Sequence, residues 1–320
     1  MTVTNNGGSQ IYLFTGNGTF TFEFIDQYGN TGSETATVNL IDKGTFFITT
    51  WRTTTVNESI TVPTVHSVAP LYNFVIDWGD GTTGSYINLS DPSPTHAYAI
   101  TGEHTITIMG TFPRIYVTNL PYYKNKILAV NQRGTNQRTS MENAFQGCAN
   151  LQILATDTPD LSKVTYMRSM FAGATNLTGG LSNWDVSHVT NMSYMLQSAS
   201  VFNEDLSNWD VANATEMSYM FSNATVFNSD LSGWDTSKVT NMSNMFNGAK
   251  GFNQPLNSWN TSKVTNMQQM FNGATNFNQN LSSWDVSKVT SMTNMLNNTA
   301  LSTYNYNAVL DSRSQQSVKA

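Results

Sequence analysis

In the second half of the chain apolar residues return on one fixed interval. Trp184, Trp209, Trp234, Trp259 and Trp284 lie 25 residues apart. Leu181, Leu206, Leu231, Leu256 and Leu281 keep the same step, as do Met192, Met217, Met242, Met267 and Met292 and the companion set Met195, Met220, Met245, Met270 and Met295. Phe202, Phe227, Phe252 and Phe277 follow them. Upstream, Met167, Met170 and Phe171 begin the series, and Met141, Phe145 and Leu151 form a further copy one residue out of step. Repetition at a fixed period is the mark of an array whose units shelter one another's apolar faces.

Within one unit two elements are predicted. In Leu206-Ser-Asn-Trp209-Asp-Val211 the alternation of Trp209 and Val211 places both on one face of a short strand. In Val239-Thr-Asn-Met242-Ser-Asn-Met245-Phe246, Met and Phe at i, i+3 and i+4 describe one face of a short helix. Thr240 would supply its N-cap, and Gly173, Gly248 and Gly273 stand where a helix of this length would be capped at its C-terminus. The apolar spacing of the strand and a period inside the window of roughly 20–29 residues are those of a leucine-rich repeat. The indoles and thioethers are expected to fill a core between coils rather than lie bare as a ladder for sugars. After Leu301 the Trp drops out, and Tyr304, Tyr306, Val309 and Leu310 suit a helical cap.

The first third alternates with period two. Phe20, Phe22 and Phe24 share one face, and so do Ala36, Val38 and Leu40, with turn residues Asp26, Gly29, Asn30 and Gly32 between them. Residues 10–42 therefore read as three strands, short of the about seven that close an immunoglobulin-like sandwich. Open edges are usually covered. Residues 43–115 form a second all-β segment, in which Val75-Ile-Asp77-Trp78-Gly79-Asp80-Gly81 and the alternating His104-Thr-Ile106-Thr-Ile108 give strand, tight turn and strand.

Composition narrows the chemistry. Charged residues are 11% of the 320, against about 25% in an average soluble protein, while aromatics reach 12%. That aromatic content argues against disorder. A net charge of −6 offers no basic stripe for phosphates, which excludes nucleic acid as a partner. No run approaches the ~18 apolar residues of a membrane span. The single cysteine, Cys148, rules out a disulfide framework and reads as a buried thiol. Uncharged polar surface suits an extracellular protein, yet no signal peptide precedes Ile11-Tyr-Leu-Phe14. The chain therefore reads as a piece of a longer exported one.

No catalytic constellation is visible. His66, His96, His104 and His188 are scattered, and no P-loop, nucleophile elbow or dinucleotide fingerprint occurs, so the chain is not expected to be an enzyme. No cofactor is expected. Asp77, Asp80 and Asp91 could offer oxygens to calcium, but they lack a bidentate Glu and a fixed loop, and His96 suits a loop-fixing hydrogen bond. Between Trp and Val of successive repeats stand Asp185, Asp210, Asp235, Asn260 and Asp285. On a strand these five would face outward from an exposed sheet as a row. They are the candidate binding residues, for a cation or a basic partner, beside the simpler role of closing turns, with Lys238, Lys288 and His188 relieving their repulsion.

The units "LSNWDVSHVTNMSYML" and "LSGWDTSKVTNMSNMF" resemble the BspA-like leucine-rich-repeat surface proteins of bacteria. "VIDWGDGTTG" with "HAYAITGEHTITI" is similar to a PKD-type β-sandwich, and "NGTFTFEFIDQYGNTGSETATVNLID" to the closing strands of an Ig-like domain. The resemblance implies an all-β N-terminal region followed by a right-handed leucine-rich-repeat solenoid with a short strand and a short helix per repeat. Its expected divisions are a partial Ig-like segment (1–42), a PKD-like sandwich (43–118), a junction or N-terminal cap (119–140), the solenoid (141–300) and a C-terminal cap and tail (301–320). Arg133, Arg138 and Arg313 stand where such relatives would carry Trp.

What the resemblance implies about function is a non-enzymatic, cell-surface or secreted adhesin fragment that binds an extracellular protein or glycan through the solenoid. Two alternatives are a stalk or filament subunit that joins neighbouring subunits through its N-terminal β edge, and a polysaccharide-binding module.

Overall fold

The computed structural model describes residues 1–8, 18–38, 43–65, 72–87, 93–117 and 121–314. Two β-sheets come first. β1 (Thr2–Val3) pairs antiparallel with β2 (Gly18–Ile25), and β2 with β3 (Thr31–Val38), in the register Phe20↔Ala36, Phe22↔Glu34, Phe24↔Gly32. The Asp26 carboxylate closes the β2–β3 turn by accepting from the amides of Tyr28 and Asn30 at 2.8 and 2.9 Å. Phe20, Phe22 and Phe24 do share a face, but each stays half-buried. The ends of the expected three-strand segment, 10–17 and 39–42, lie outside the described residues.

The main sheet has the order β11-β10-β4-β9-β6-β7. Its strands are β4 (Phe47–Thr53), β6 (Asn73–Asp77), β7 (Thr83–Ile87), β9 (Gly102–Thr111), β10 (Ile127–Gln132) and β11 (Gln152–Ile153), all antiparallel except the β10–β11 pair. Period-two alternation buries Phe47, Trp51, Phe74, Ile76, Ile106 and Ile108. A two-stranded sheet of β5 (Glu58–Thr61) and β8 (Thr95–Tyr98) adds Ile60 and Tyr98, whose hydroxyl donates to the Trp78 carbonyl at 2.8 Å. The main sheet does not stop at residue 118: β10 and β11 extend it to the first repeat, and one hydrophobic cluster runs from Phe47 to Val309.

The expected helix-per-repeat leucine-rich solenoid is not what forms. Among the described residues the one α-helix is α1 (Thr303–Ser314), in the segment read as the cap, and no repeat contains a helix. Each 25-residue unit is instead a chain of tight turns. In one unit the amides of Trp209, Ala214, Met220, Ala224 and Phe227 donate to the carbonyls of Leu206, Val211, Met217, Phe221 and Ala224, three residues earlier each time. Apolar spacing of three, which suggested a helix, is here the spacing of consecutive turns. A left-handed residue between them stops helical propagation: Ser169, Tyr194, Tyr219, Asn244, Gln269 and Asn294 all have φ of 53–59°.

The strand expected at Leu206–Val211 is likewise a pair of turns, while extended pairing moves to the segment read as helical. Single parallel bridges join Tyr166, Asn191, Glu216, Asn241, Asn266 and Ser291 in order. On the N-terminal side of each left-handed residue and beyond it, alternate amides reach the next unit. Met242, Asn244, Phe246 and Gly248 donate to Asn266, Gln268, Met270 and Asn272 at 2.8–3.0 Å. Thr240 is no N-cap; its hydroxyl donates to the Thr215 carbonyl of the preceding unit at 3.0 Å.

Side chains repeat the same register. Trp209, Trp234, Trp259 and Trp284 stack with ring centroids 6.3–6.4 Å apart and planes within 4°. Each of these four indoles donates to the carbonyl of the Leu 28 residues earlier, at 2.9–3.0 Å. The indoles are buried and fill the core. Asn203, Asn228, Asn253 and Asn278 form a ladder in which each side-chain oxygen accepts the backbone amide one unit on, ending at Ser302 just before α1.

Candidate functional site

The five residues of the predicted row stand on turns, not on a sheet. Oδ1 of Asp185, Asp210, Asp235, Asn260 and Asp285 accepts the backbone amide two residues on, from Ser187, Ala212, Ser237, Ser262 and Ser287, at 2.9–3.1 Å. These are side-chain-capped turns, which Asp-x-Ser and Asn-x-Ser form readily. The Ser187 hydroxyl and amide hold the Asp185 carboxyl below the ordinary carboxylate value. The amides and hydroxyls of Ser237 and Ser287 do the same for Asp235 and Asp285. Four of the five are exposed, with Asp285 half-buried, and their outward oxygens remain accessible to solvent.

An amide oxygen can replace a carboxylate in this role, as Asn260 already does. Asp235→Asn is therefore expected to leave stability nearly unchanged, whereas Asp235→Ala costs about 0.5–1.5 kcal/mol through the lost acceptor. Urea denaturation of both variants checks this; equal losses would show that the charge, not the cap, holds the turn.

The other predicted oxygen cluster is also engaged in turn geometry. Asp77 accepts the Gly79 amide at 2.9 Å, and Asp80 accepts the amide and hydroxyl of Thr82 at 3.0 and 2.6 Å. The second Asp80 oxygen meets His96 Nε2 at 2.6 Å, so this histidine pins the loop. Asp91 and His66 lie outside the described residues. No three His, Cys, Asp or Glu come together as metal ligands among the described residues. Cys148 is buried, and burial pushes its thiol up to about 12.

A different strip gathers the side chains most suited to contact. Tyr194 and Tyr219, one unit apart, stack at 4.5 Å with planes within 6°. The Arg168 guanidinium, from the unit before, sits 5.5 Å from the Tyr194 ring centre. Tyr166 is 51% exposed and bridges to Asn191, which bridges to Glu216. Glu216 is held in place by the Ser218 amide at 2.8 Å and by Asn241 Nδ2 at 3.0 Å. Partial burial raises the Tyr194 hydroxyl. Tyr194 and Tyr219 occupy the left-handed position of their units, where the following unit has Asn244. Their 25-residue separation is visible in the sequence; only the inward-facing members of the period draw attention there.

A family model described as "Mycoplasma protein of unknown function, DUF285" matches residues 139–239 and 227–318. The comparisons with curated proteins and with solved structures gave no match. The family finding replaces the resemblance to BspA-like leucine-rich-repeat proteins, and with it the PKD-like and Ig-like assignments of the N-terminal third, which no match supports. No helix among the described residues is long and apolar enough to cross a membrane.

Proposed function

The chain belongs to the family described as Mycoplasma protein of unknown function, DUF285, and from that premise we propose that it is a non-enzymatic, extracellular or surface-exposed protein that binds a macromolecular partner, a polypeptide, along its repeats. The observation that carries this reading is the strip of Tyr166, Arg168, Tyr194 and Tyr219. Tyr and Arg are the residue types over-represented among energetically dominant contacts, and stacking immobilises these rings before any partner arrives. A polypeptide suits the strip better than a glycan. Arg168 and Tyr219, from the units on either side, pack on the Tyr194 ring, which leaves less of its face free for a sugar to stack on. The acidic row adds outward carboxylates along the same repeats.

The test is binding of the full chain to immobilised extracellular polypeptides and, in parallel, to a glycan array. Tyr194→Asn and Tyr219→Asn install the residue that already holds the same left-handed position at Asn244 and Asn294, so the fold is retained. Combined with Arg168→Ala, they are expected to weaken polypeptide binding at least about tenfold, the loss of one to two strong contacts. Undiminished binding by the triple variant, or binding confined to glycans, would overturn the proposal.

A further inference from the structure

Where the main sheet meets the first repeats, two arginines are buried. Arg133 is 5% exposed and Arg138 is 3% exposed. They line a cavity of about 20 Å³ together with Phe47, Val130, Met141 and Trp184. Arg138 lies 4.6 Å from the Phe47 ring centre and 5.5 Å from that of Phe112, and Arg133 lies 5.4 Å from that of Trp184. Both guanidiniums are thus laid on aromatic rings.

The hydrogen-bond inventory of this site is lopsided. Arg133 donates to the carbonyls of Asp157 and Gly180, and Arg138 to those of Phe112 and Arg133. Neither guanidinium forms an ion pair with a carboxylate among the described residues. Asp157, held by the amides of Arg133 and Gly134 at 2.7–3.0 Å, and Glu204, held by the Leu181 amide at 2.6 Å, both offset part of the Arg133 charge, whereas no carboxylate among the described residues offsets that of Arg138. Two buried donors remain without an acceptor: Arg133 Nε and Trp184 Nε1. The orphan on Trp184 has a clear origin. The other four indoles donate to a Leu carbonyl 28 residues back, and Trp184 opens the series, with no such unit behind it. Burial lowers Arg138 to about 10, so it still carries its charge at neutral pH.

A buried charge without a counter-charge is costly, and so is each buried donor left unpaired. The cavity holds one water-sized body, which requires about 10–15 Å³. That is too little for sulfate or phosphate. A water would bring two more hydrogens to a site whose unpaired groups are all donors, whereas a spherical anion accepts from every direction. We propose that the junction cavity between Arg133, Arg138 and Trp184 binds one small monatomic anion of the chloride class, which locks the main sheet to the first repeats.

Crystals of the full chain soaked in sodium bromide and measured at the bromine edge test this directly. The expected result is an anomalous peak inside the cavity, between the two guanidiniums and Trp184. In solution, the thermal midpoint at constant ionic strength is expected to rise by roughly 2–4 °C between gluconate and saturating chloride. Arg138→Met, which keeps the packing and removes the charge, should abolish that difference. Bromide found only at the surface, or a cavity occupied by water alone, would overturn the proposal. A midpoint equal in chloride and gluconate would overturn it as well. Should Arg138→Met fail to fold, the bromide experiment on the unaltered chain decides alone.

Discussion

Trp234→Ala is expected to destabilise the chain by about 3–5 kcal/mol, the range for removing a large buried aromatic side chain. The indole is 3% exposed and stacks on Trp209 at 6.4 Å and on Trp259 at 6.3 Å, with Phe221 tilted against it at 6.3 Å. Its Nε1 also satisfies the Leu206 carbonyl at 3.0 Å. One truncation therefore opens a cavity that three units share and leaves a buried acceptor unmatched. Surrounding coils are tied to their neighbours by backbone bonds at a fixed register, so they have little freedom to collapse into the space. Trp234→Phe should cost less, because most of the packing survives and only the indole N–H contact is lost. Chemical denaturation of the full chain measures both; a loss below about 1 kcal/mol for the alanine variant would show that the indole row is not what joins the units.

Gly134→Ala is expected to cost at least about 2 kcal/mol, from the combination of a left-handed backbone and a steric clash. Gly134 has φ of 65°, and a Cβ placed on it would lie 2.5 Å from the carbonyl oxygens of both Thr45 and Phe46. Those are backbone atoms immediately before β4, so relief would require moving the segment that leads into the strand. Gly134 also donates its amide to Asp157 at 2.7 Å, which fixes it further. Gly81 provides the control: it too has positive φ, 89°, but nothing lies within 4 Å of its added Cβ. Gly81→Ala should show only the conformational part, about 1–2 kcal/mol. Equal effects at the two positions, measured by thermal unfolding, would mean that the close approach of residues 45–46 to the junction contributes nothing.

What the sequence made legible was the interval and the identity of the buried positions. Leu206, Trp209, Met217, Met220 and Phe227 are all buried, as their recurrence implies. What it concealed was the kind of element between them. A spacing of three to four residues serves a helix and a run of consecutive turns equally, and the decision falls to the residue between the two Met. At Tyr194, Tyr219 and Gln269 that residue has positive φ without being Gly or Asn, so composition carried no warning of a left-handed backbone. The strand was misplaced for a related reason: Leu206–Val211 has alternating apolar residues, yet its backbone amides close local turns instead of pairing across units. The candidate row had a local signal for the turn-closing role in its Asp-x-Ser pattern. The tyrosine strip had one too, in a period that applies to polar and exposed positions as strictly as to buried ones.

The asparagine ladder from Asn203 to Asn278 carries one more consequence. The three rungs that join Asn203, Asn228, Asn253 and Asn278 are the same bond made at the same 25-residue offset, as expected of an array in which neighbours support neighbours. Excision or duplication of one 25-residue stretch would rejoin ends that match in this register. Reach could then be lengthened or shortened in increments of about 5 Å, the spacing of neighbouring extended chains. Such a molecule can change how far it extends by recombination between its own near-identical segments, while its sheet domain and its terminal helix stay as they are.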